Sequence, residues 1–339
     1  MKDTQPENSA TQTILHGNAL RLGYQNGNNT FLVAENISFD LAKGQLTCLL
    51  GPNGVGKSTL LKAILGQHPP LSGEIYYQGK KLSQLSHKDL ARKIAVVLTD
   101  KVTTGNLTVA QLVALGRIPH TGWLGNLRDT DISQIDASIE ATHVGYLRDR
   151  RLSELSDGQL QKVMIARALA QDGEILVLDE PTAHLDLANR FEIMHLLRNI
   201  ALRKNKAVLV VTHDLDIALD TADRFWLMPC GSPLVTGIPE DLVLSEQINL
   251  LLPDQHLFFS KESGKVQTLD HLEPPLVQGP DALTQWVKKA MLKRGLTLEM
   301  DMKLEVIPHP FEIRLKSGQE IFRFGSIQEF FEAESWKTE

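Results

Sequence analysis

One nine-residue stretch constrains this chain more than any other: Gly51-Pro52-Asn53-Gly54-Val55-Gly56-Lys57-Ser58-Thr59, directly after the apolar run 46–50. It fits the pattern GxxxxGK[ST]. Glycines let the backbone curl so that successive N–H groups face inward, toward phosphate oxygens. A helix expected over residues 57–65 adds the positive end of its dipole to the same anion. Lys57 supplies a point charge for terminal phosphates, and the Ser58 hydroxyl suits Mg²⁺. The motif predicts a nucleoside triphosphate site whose binding residues are Gly51, Pro52, Asn53, Gly54, Val55, Gly56, Lys57, Ser58 and Thr59.

The run 46–50 is short and unbroken, as in a strand buried on both faces. Two more such runs occupy 175–178 and 207–211, separated by amphipathic helical patterns such as 159–170 and 190–202. Buried strands alternating with helices predict an α/β sheet, at least partly parallel. Upstream, regular alternation starts near Leu20 and Leu22, and a second strand-like stretch covers 31–41. Between Val102 and Leu155 the strand signal vanishes. Residues 109–115 and 130–144 read as helices around a Gly- and Trp-containing loop, 119–126, which predicts a helical insertion over about residues 100–160. Residues 1–14 read as a disordered tail.

The C-terminal part has a different pattern. Residues 256–280 read as a linker, Pro- and Gly-containing from 273, and 281–339 as a small α+β module. Leu283, Trp286, Val287, Ala290 and Met291 share one helical face that Gly295 would end. Residues 296–306 alternate like a half-buried strand. Residues 311–315 and 321–324 flank a turn, and Ser326 could cap a last helix. Nothing in this module resembles a catalytic constellation.

Composition narrows the class. Lys and Arg number 35 against 41 Asp and Glu, a net charge of −6, so the basic excess of a protein that grips nucleic acid by bulk charge is missing. No apolar run approaches the ~20 residues needed to cross a bilayer, and the polar N-terminus predicts no export signal. Two cysteines, Cys48 and Cys230, cannot form a disulfide framework, and reduced cytosolic thiols are expected.

Asp179 and Glu180 close the run 175–178. A carboxylate there can hold Mg²⁺, leaving its neighbour to polarise a water against the γ-phosphate; Asp179 fits the metal role and Glu180 the base role.

Further motifs follow in a fixed order. Leu155-Ser156-Asp157-Gly158-Gln159 opens a helix some 20 residues before the acidic pair. Ala183-His184-Leu185-Asp186 follows that pair, and Val211-Thr212-His213-Asp214 comes later. Together with the glycine-rich loop they resemble the nucleotide-binding subunits of ABC transporters, over roughly residues 15–250. The resemblance implies a P-loop NTPase domain over 15–255 with a helical subdomain, ATP and Mg²⁺ as its ligands, and ATP hydrolysis as its activity. It implies that Tyr24 stacks on adenine and that His213 holds the γ-phosphate and attacking water. Ser156 and Gly158, with Gln159 beside them, would meet ATP bound to a second copy of the chain, and Asp186 would sit at the dimer junction.

Two positions depart from the family pattern. Asp157 replaces a glycine, and Thr99-Asp100 stand where a Mg²⁺-ligating Gln is usual, so Thr99 is a candidate metal ligand. Residues 107–120, ending Gly116-Arg117-Ile118-Pro119-His120, resemble the ATPases of iron–siderophore, haem and cobalamin importers. That implies a separate membrane permease, a substrate-binding protein, no nucleic acid, and a place on the cytoplasmic face of the cell membrane. The competing expectation is a soluble ABC-type ATPase working as a mechanical switch on nucleic acid or ribosomes, with the C-terminal module regulatory. Relatives of that kind usually carry two cassettes or a long coiled coil, and this sequence shows neither.

Overall fold

The computed structural model describes residues 12–27, 29–98, 106–122, 125–252, 256–268, 276–296 and 302–333. The chain forms two units, Met1–Gln267 and Thr268–Glu339.

The first unit opens with a long antiparallel hairpin, β1 (Thr13–Asn26) and β2 (Asn29–Ala42). The central strand β3 (Leu46–Leu50) then runs into the glycine-rich loop and helix α1 (Lys57–Ile64). Strands β4 (Ser72–Tyr77) and β5 (Lys80–Lys81) return to the hairpin and complete a four-stranded sheet in the order β2-β1-β4-β5. Helix α2 (His87–Lys93) leads into β6 (Ile94–Val97). The helical insertion follows: α3 (Val109–Ala114), α4 (Asp129–Ala141) and α5 (Asp157–Ala170). The chain re-enters the core as β7 (Ile175–Asp179), α6 (Leu187–Lys204), β8 (Ala207–Val211), α7 (Leu215–Thr221), β9 (Arg224–Leu227) and β10 (Val235–Gly237). Helix α8 (Pro239–Leu244) and the strand pair β11 (Leu257–Ser260) and β12 (Lys265–Thr268) end the unit.

The core sheet has the order β10-β9-β3-β8-β7-β6. Strands β6, β7, β8, β3 and β9 pair in parallel, and only edge strand β10 is antiparallel. The unbroken apolar runs are its middle: β3 and β8 are buried at every position. Two hydrophobic clusters lie on opposite sides of it. One combines the helical insertion with α6, and the other fills the space between the core sheet, α1 and the hairpin sheet. Parallel strands end together, so the loops after β3, β7 and β8 gather at one edge, where open α/β sheets bind ligands.

The boundaries differ from expectation in two places. Of the expected tail 1–14, residues 1–11 lie outside the described set, and its end is structured instead: β1 starts at Thr13, and Ile14 is buried. The hairpin carries register shifts between Thr13 and Leu15 and again between Gly17 and Leu20. Further shifts fall between Leu20 and Leu22 and between Leu22 and Gly23; each such irregularity changes the side-chain phase and blurs a period of two. The linker expected from residue 256 instead pairs as β11 and β12 at its start, with Asn249 Oδ1 accepting the Phe259 N–H at 2.8 Å. Among the described residues no helix is long and apolar enough to cross a membrane.

The second unit is a four-stranded sheet of β13 (Val277–Gln278), β14 (Met302–Ile307), β15 (Glu312–Ser317) and β16 (Glu320–Phe324), with helices α9 (Asp281–Leu292) and α10 (Ile327–Glu332). Val287 and Met291 of α9 and Phe330 of α10 fill its own core together with Leu304 and Ile313. Ser326 caps α10 by accepting the Glu329 N–H at 3.0 Å. The expected strand 296–306 is described from Met302, residues 297–301 lying outside the described set.

Candidate nucleotide site

The loop after β3 adopts a conformation only its glycines permit. Gly54 and Gly56 take φ of 81° and 115°, in the half of the backbone map that side chains avoid. A Cβ on Gly56 would lie 2.7 Å from Val33 Cγ1, and one on Gly51 would lie 2.5 Å from the Met228 carbonyl oxygen. Val55 packs inward among the hydrophobic residues beneath, pinning the loop at its middle. Lys57 opens α1 and folds over the loop, its Nζ donating to the carbonyls of Gly51 at 2.7 Å and Pro52 at 3.0 Å. Burial pushes its ammonium below the ordinary lysine range, while the charges of Glu180 and Asp179 pull it back up.

The acidic pair sits at the end of β7, two strands away in the sheet. Glu180 has φ of 49°, and its N–H donates to Val211 O at 2.9 Å. A left-handed backbone at a non-glycine residue costs about 1–2 kcal/mol, and such strain is typical of sites that need a side chain aimed. Here it brings Glu180 Oε2 to 2.8 Å from His213 Nδ1, on the loop after β8. Thr182 Oγ1 donates to Asp214 Oδ2 at 2.9 Å, and Arg190 Nη1 donates to Asp214 Oδ1 at 3.3 Å. The two loops are thereby tied together.

Tyr24, Asn53, Gly54, Gly56, Lys57, Ser58, Thr59, Asp179 and Glu180 line one open cleft of ≈ 470 Å³, with Val33 and Val211. Nine expected site residues therefore converge. Gly51, Pro52 and Val55 shape the loop, and His213 reaches the cleft through Glu180. Val33 is an ordinary strand valine that carried no signal in the sequence, and Val211, though it opens a recognised motif, was not expected in the lining. Thr182 and Asp214, neighbours of recognised motif residues, were legible as positions though not as a linked pair. Ser58 and Asp179 offer the hard oxygen donors that Mg²⁺ prefers. Among the described residues no three His, Cys, Asp or Glu side chains gather as a metal cage. A cation held by one or two protein oxygens plus phosphate and water is the usual Mg²⁺ arrangement, so the donor set fits. Thr99, the other expected metal ligand, lies outside the described residues, as does Asp100.

Ser156, Gly158, Gln159 and Asp186 are absent from the cleft lining. They form a second constellation at two helix starts. Ser156 caps α5 by accepting the Gln159 N–H at 3.3 Å, and Gln159 Oε1 accepts the Ser156 N–H at 3.1 Å, a reciprocal capping box. Asp157 occupies the first turn of that helix, where a carboxylate is electrostatically favoured. Asp186 caps α6, accepting from Asn189 N at 2.8 Å and Asn189 Nδ2 at 2.9 Å. Asn189 in turn abuts Gly158, whose Cβ would come 2.6 Å from Asn189 Oδ1. The two helix starts thus lock together around a residue that must be small.

The importer-like segment 107–120 is built into the insertion. Buried Arg117 donates from Nε to Asp131 Oδ1 at 2.9 Å and from Nη1 to Ala170 O at 2.8 Å. A Cβ on Gly116 would strike Arg167 O at 2.2 Å. His120 Nε2 lies 2.8 Å from Gln171 O. These contacts fasten the segment to the far end of α5.

A GxxxxGK[ST] loop, an acidic pair and a histidine beside it, at the strand ends of a parallel sheet, define the class as a P-loop nucleotide hydrolase. The ABC transporter family model matches residues 34–183. An ABC transporter ATP-binding protein of Methanocaldococcus jannaschii is 41% identical over 245 residues, 72% of this chain and 83% of that one. The ferric enterobactin transport ATP-binding protein of Escherichia coli is 34% identical over 234 residues, 69% of this chain and 85% of its own. A dimeric ABC transporter cassette of known structure aligns with TM-score 0.55 and 25% identity, over 67% of this chain and 99% of that one. The chain belongs to the ATP-binding subunits of ABC transporters, which hydrolyse ATP to power transport and work as paired cassettes with permease components.

Proposed function

We propose that this chain powers an importer of an iron–siderophore, haem or cobalamin-type compound, docked on a separate permease at the cytoplasmic face of the membrane and served by a substrate-binding protein. The cargo class is supported by the ferric enterobactin relative and by a cobalamin import ATP-binding protein of Halobacterium salinarum, 35% identical over 216 residues. The importer-like segment 107–120 supports the same reading. No observation favours a nucleic-acid or ribosome partner.

The division of the site into two constellations is the observation that carries the mechanism. The cleft holds a triphosphate with the backbone N–H groups of residues 53–59 and with Lys57, while Tyr24 takes the base. Ser156, Gly158 and Gln159 of a second copy close over the terminal phosphate, using the N-terminus of α5, and Asp186 lies at the junction between copies. Ser58 and Asp179 would hold Mg²⁺, which would supply charge neutralisation at the phosphates. Glu180 takes the proton of the attacking water as that water's oxygen bonds to the γ-phosphorus and the bridge to the β-phosphate breaks. His213 orients Glu180 through the 2.8 Å contact and meets the γ-phosphate with its other ring nitrogen. Binding two ATP draws the copies together; hydrolysis releases them.

Affinity purification of the full chain from native membranes, followed by mass spectrometry, tests the assignment. A co-purifying polytopic permease, and loss of ferric-siderophore, haem or cobalamin uptake on deletion, is expected. Ribosomal proteins as the stoichiometric partner would contradict it.

A further inference from the structure

Tyr24 is the only expected base-contacting residue in the cleft, and it is more than a third exposed, at 38%. Its hydroxyl shares a hydrogen bond with Thr59 Oγ1, 3.2 Å away on α1. A single terminal bond leaves the plane of an exposed ring poorly defined. A second contact restricts it. The imidazole of His68 lies with its centroid 4.8 Å from that of Tyr24, tilted by 37°. His68 is itself anchored, with Nε2 2.9 Å from the carbonyl oxygen of Gly23, the residue before Tyr24. A carbonyl can only accept, so Nε2 carries the proton and the ring orientation is set. His68 is half-buried and does not line the cleft.

We infer that His68 is a positioning residue for base recognition: it fixes the plane of Tyr24 so that the ring is presented to the nucleobase before ATP arrives. The inference rests on the reading of the cleft as an ATP site with Tyr24 as its base platform. Its physical basis is preorganisation: a ring already ordered loses less freedom when the base stacks on it. Aromatic pairs at this separation attract beyond simple area burial. Both residues that hold Tyr24 belong to one stretch of chain, Thr59 within α1 and His68 in the loop just beyond it. The base platform is therefore fastened to the helix that carries the phosphate-binding lysine, and base and phosphate recognition share one rigid support. A fixed platform also favours the larger stacking area of a purine over a pyrimidine.

Steady-state hydrolysis by the full chain tests this, using ATP and CTP as substrates and tripolyphosphate, which has no base, as a competitive inhibitor. For His68→Ala the expected result is an approximately three- to tenfold rise in KM for ATP, the size of one aromatic pair. kcat should stay within about twofold, the preference for ATP over CTP should shrink, and tripolyphosphate inhibition should not change. His68→Phe keeps a ring against Tyr24 but lacks the bond to Gly23 O, so its KM should lie between those of the parent and His68→Ala. In a Tyr24→Ala background, His68→Ala should add no further rise, because its effect passes through Tyr24. An unchanged KM in His68→Ala, a fall in kcat instead, weakened tripolyphosphate inhibition, or a full additional loss on top of Tyr24→Ala would each overturn the inference. So would His68→Phe behaving like His68→Ala. A Tyr24→Ala chain with normal KM would show separately that the base-platform reading itself fails.

Discussion

The cleft and the paired helix starts of α5 and α6 are built by different means. On the cleft side, three parallel strands end at one edge, and the loops after β3 and β7 are bent into conformations that side chains resist: Gly54, Gly56 and Glu180 all have positive φ. On the other side, Ser156 and Asp186 are ordinary helix caps in extended backbone, held by capping hydrogen bonds. One side is a concave cleft; the other is a pair of capped helix starts. The first encloses a cleft, whereas the second presents only helix N-termini. Within a single copy the second half does not line the cleft, and the proposed mechanism assigns it to the partner's ATP.

Substitutions that act on one side only can break this comparison. The largest effect belongs to Glu180→Gln. It keeps size and hydrogen bonding yet removes the base, so hydrolysis should fall by about 10²–10⁴-fold in a phosphate-release assay, with ATP binding retained. Retained turnover would take Glu180 out of the base role. Lys57→Ala comes next: removing a charge-assisted bond to phosphate should weaken ATP binding by about 10–100-fold in calorimetry. Undiminished affinity would detach the loop from nucleotide binding. Ser156→Ala should be mildest in the free chain, lowering stability by about 1 kcal/mol through loss of the cap in a denaturant titration. It should leave monomer affinity for ATP unchanged while weakening the ATP-bound dimer. A drop in monomer affinity would place Ser156 on the cleft side and undo the distinction.

The cleft side was the more legible in sequence, and for a physical reason. Close backbone approach to phosphate demands glycine at set spacings, and strands buried on both faces demand unbroken apolar runs, so β3, β7 and β8 are marked along with the loops they aim. The hairpin start was hidden because bulges near Leu15 and Leu20 break the alternation. Strand β9 was hidden by its brevity, four residues that include the fully buried Trp226. The strand order arises from long-range pairing with no local trace. The same holds for the tie between Thr182 and Asp214, for the packing of Asn189 on Gly158, and for His68 beside Tyr24. Each brings together residues far apart in the chain through tertiary folding. Most of the second unit was legible as structure, Ser326 cap included, but Trp286, expected on the apolar face of α9, is exposed, and the unit carries no motif from which a role could be argued.

Static light scattering on the Glu180→Gln chain with saturating MgATP tests the central claim most directly, since this variant should bind ATP without consuming it. If each bound ATP is completed by the helix caps of a second copy, the mass should double from 37.7 kDa to 2 × 37.7 = 75.4 kDa, and return to the single value when ADP replaces ATP. A chain that saturates with ATP yet stays at 37.7 kDa at every concentration would contradict the account.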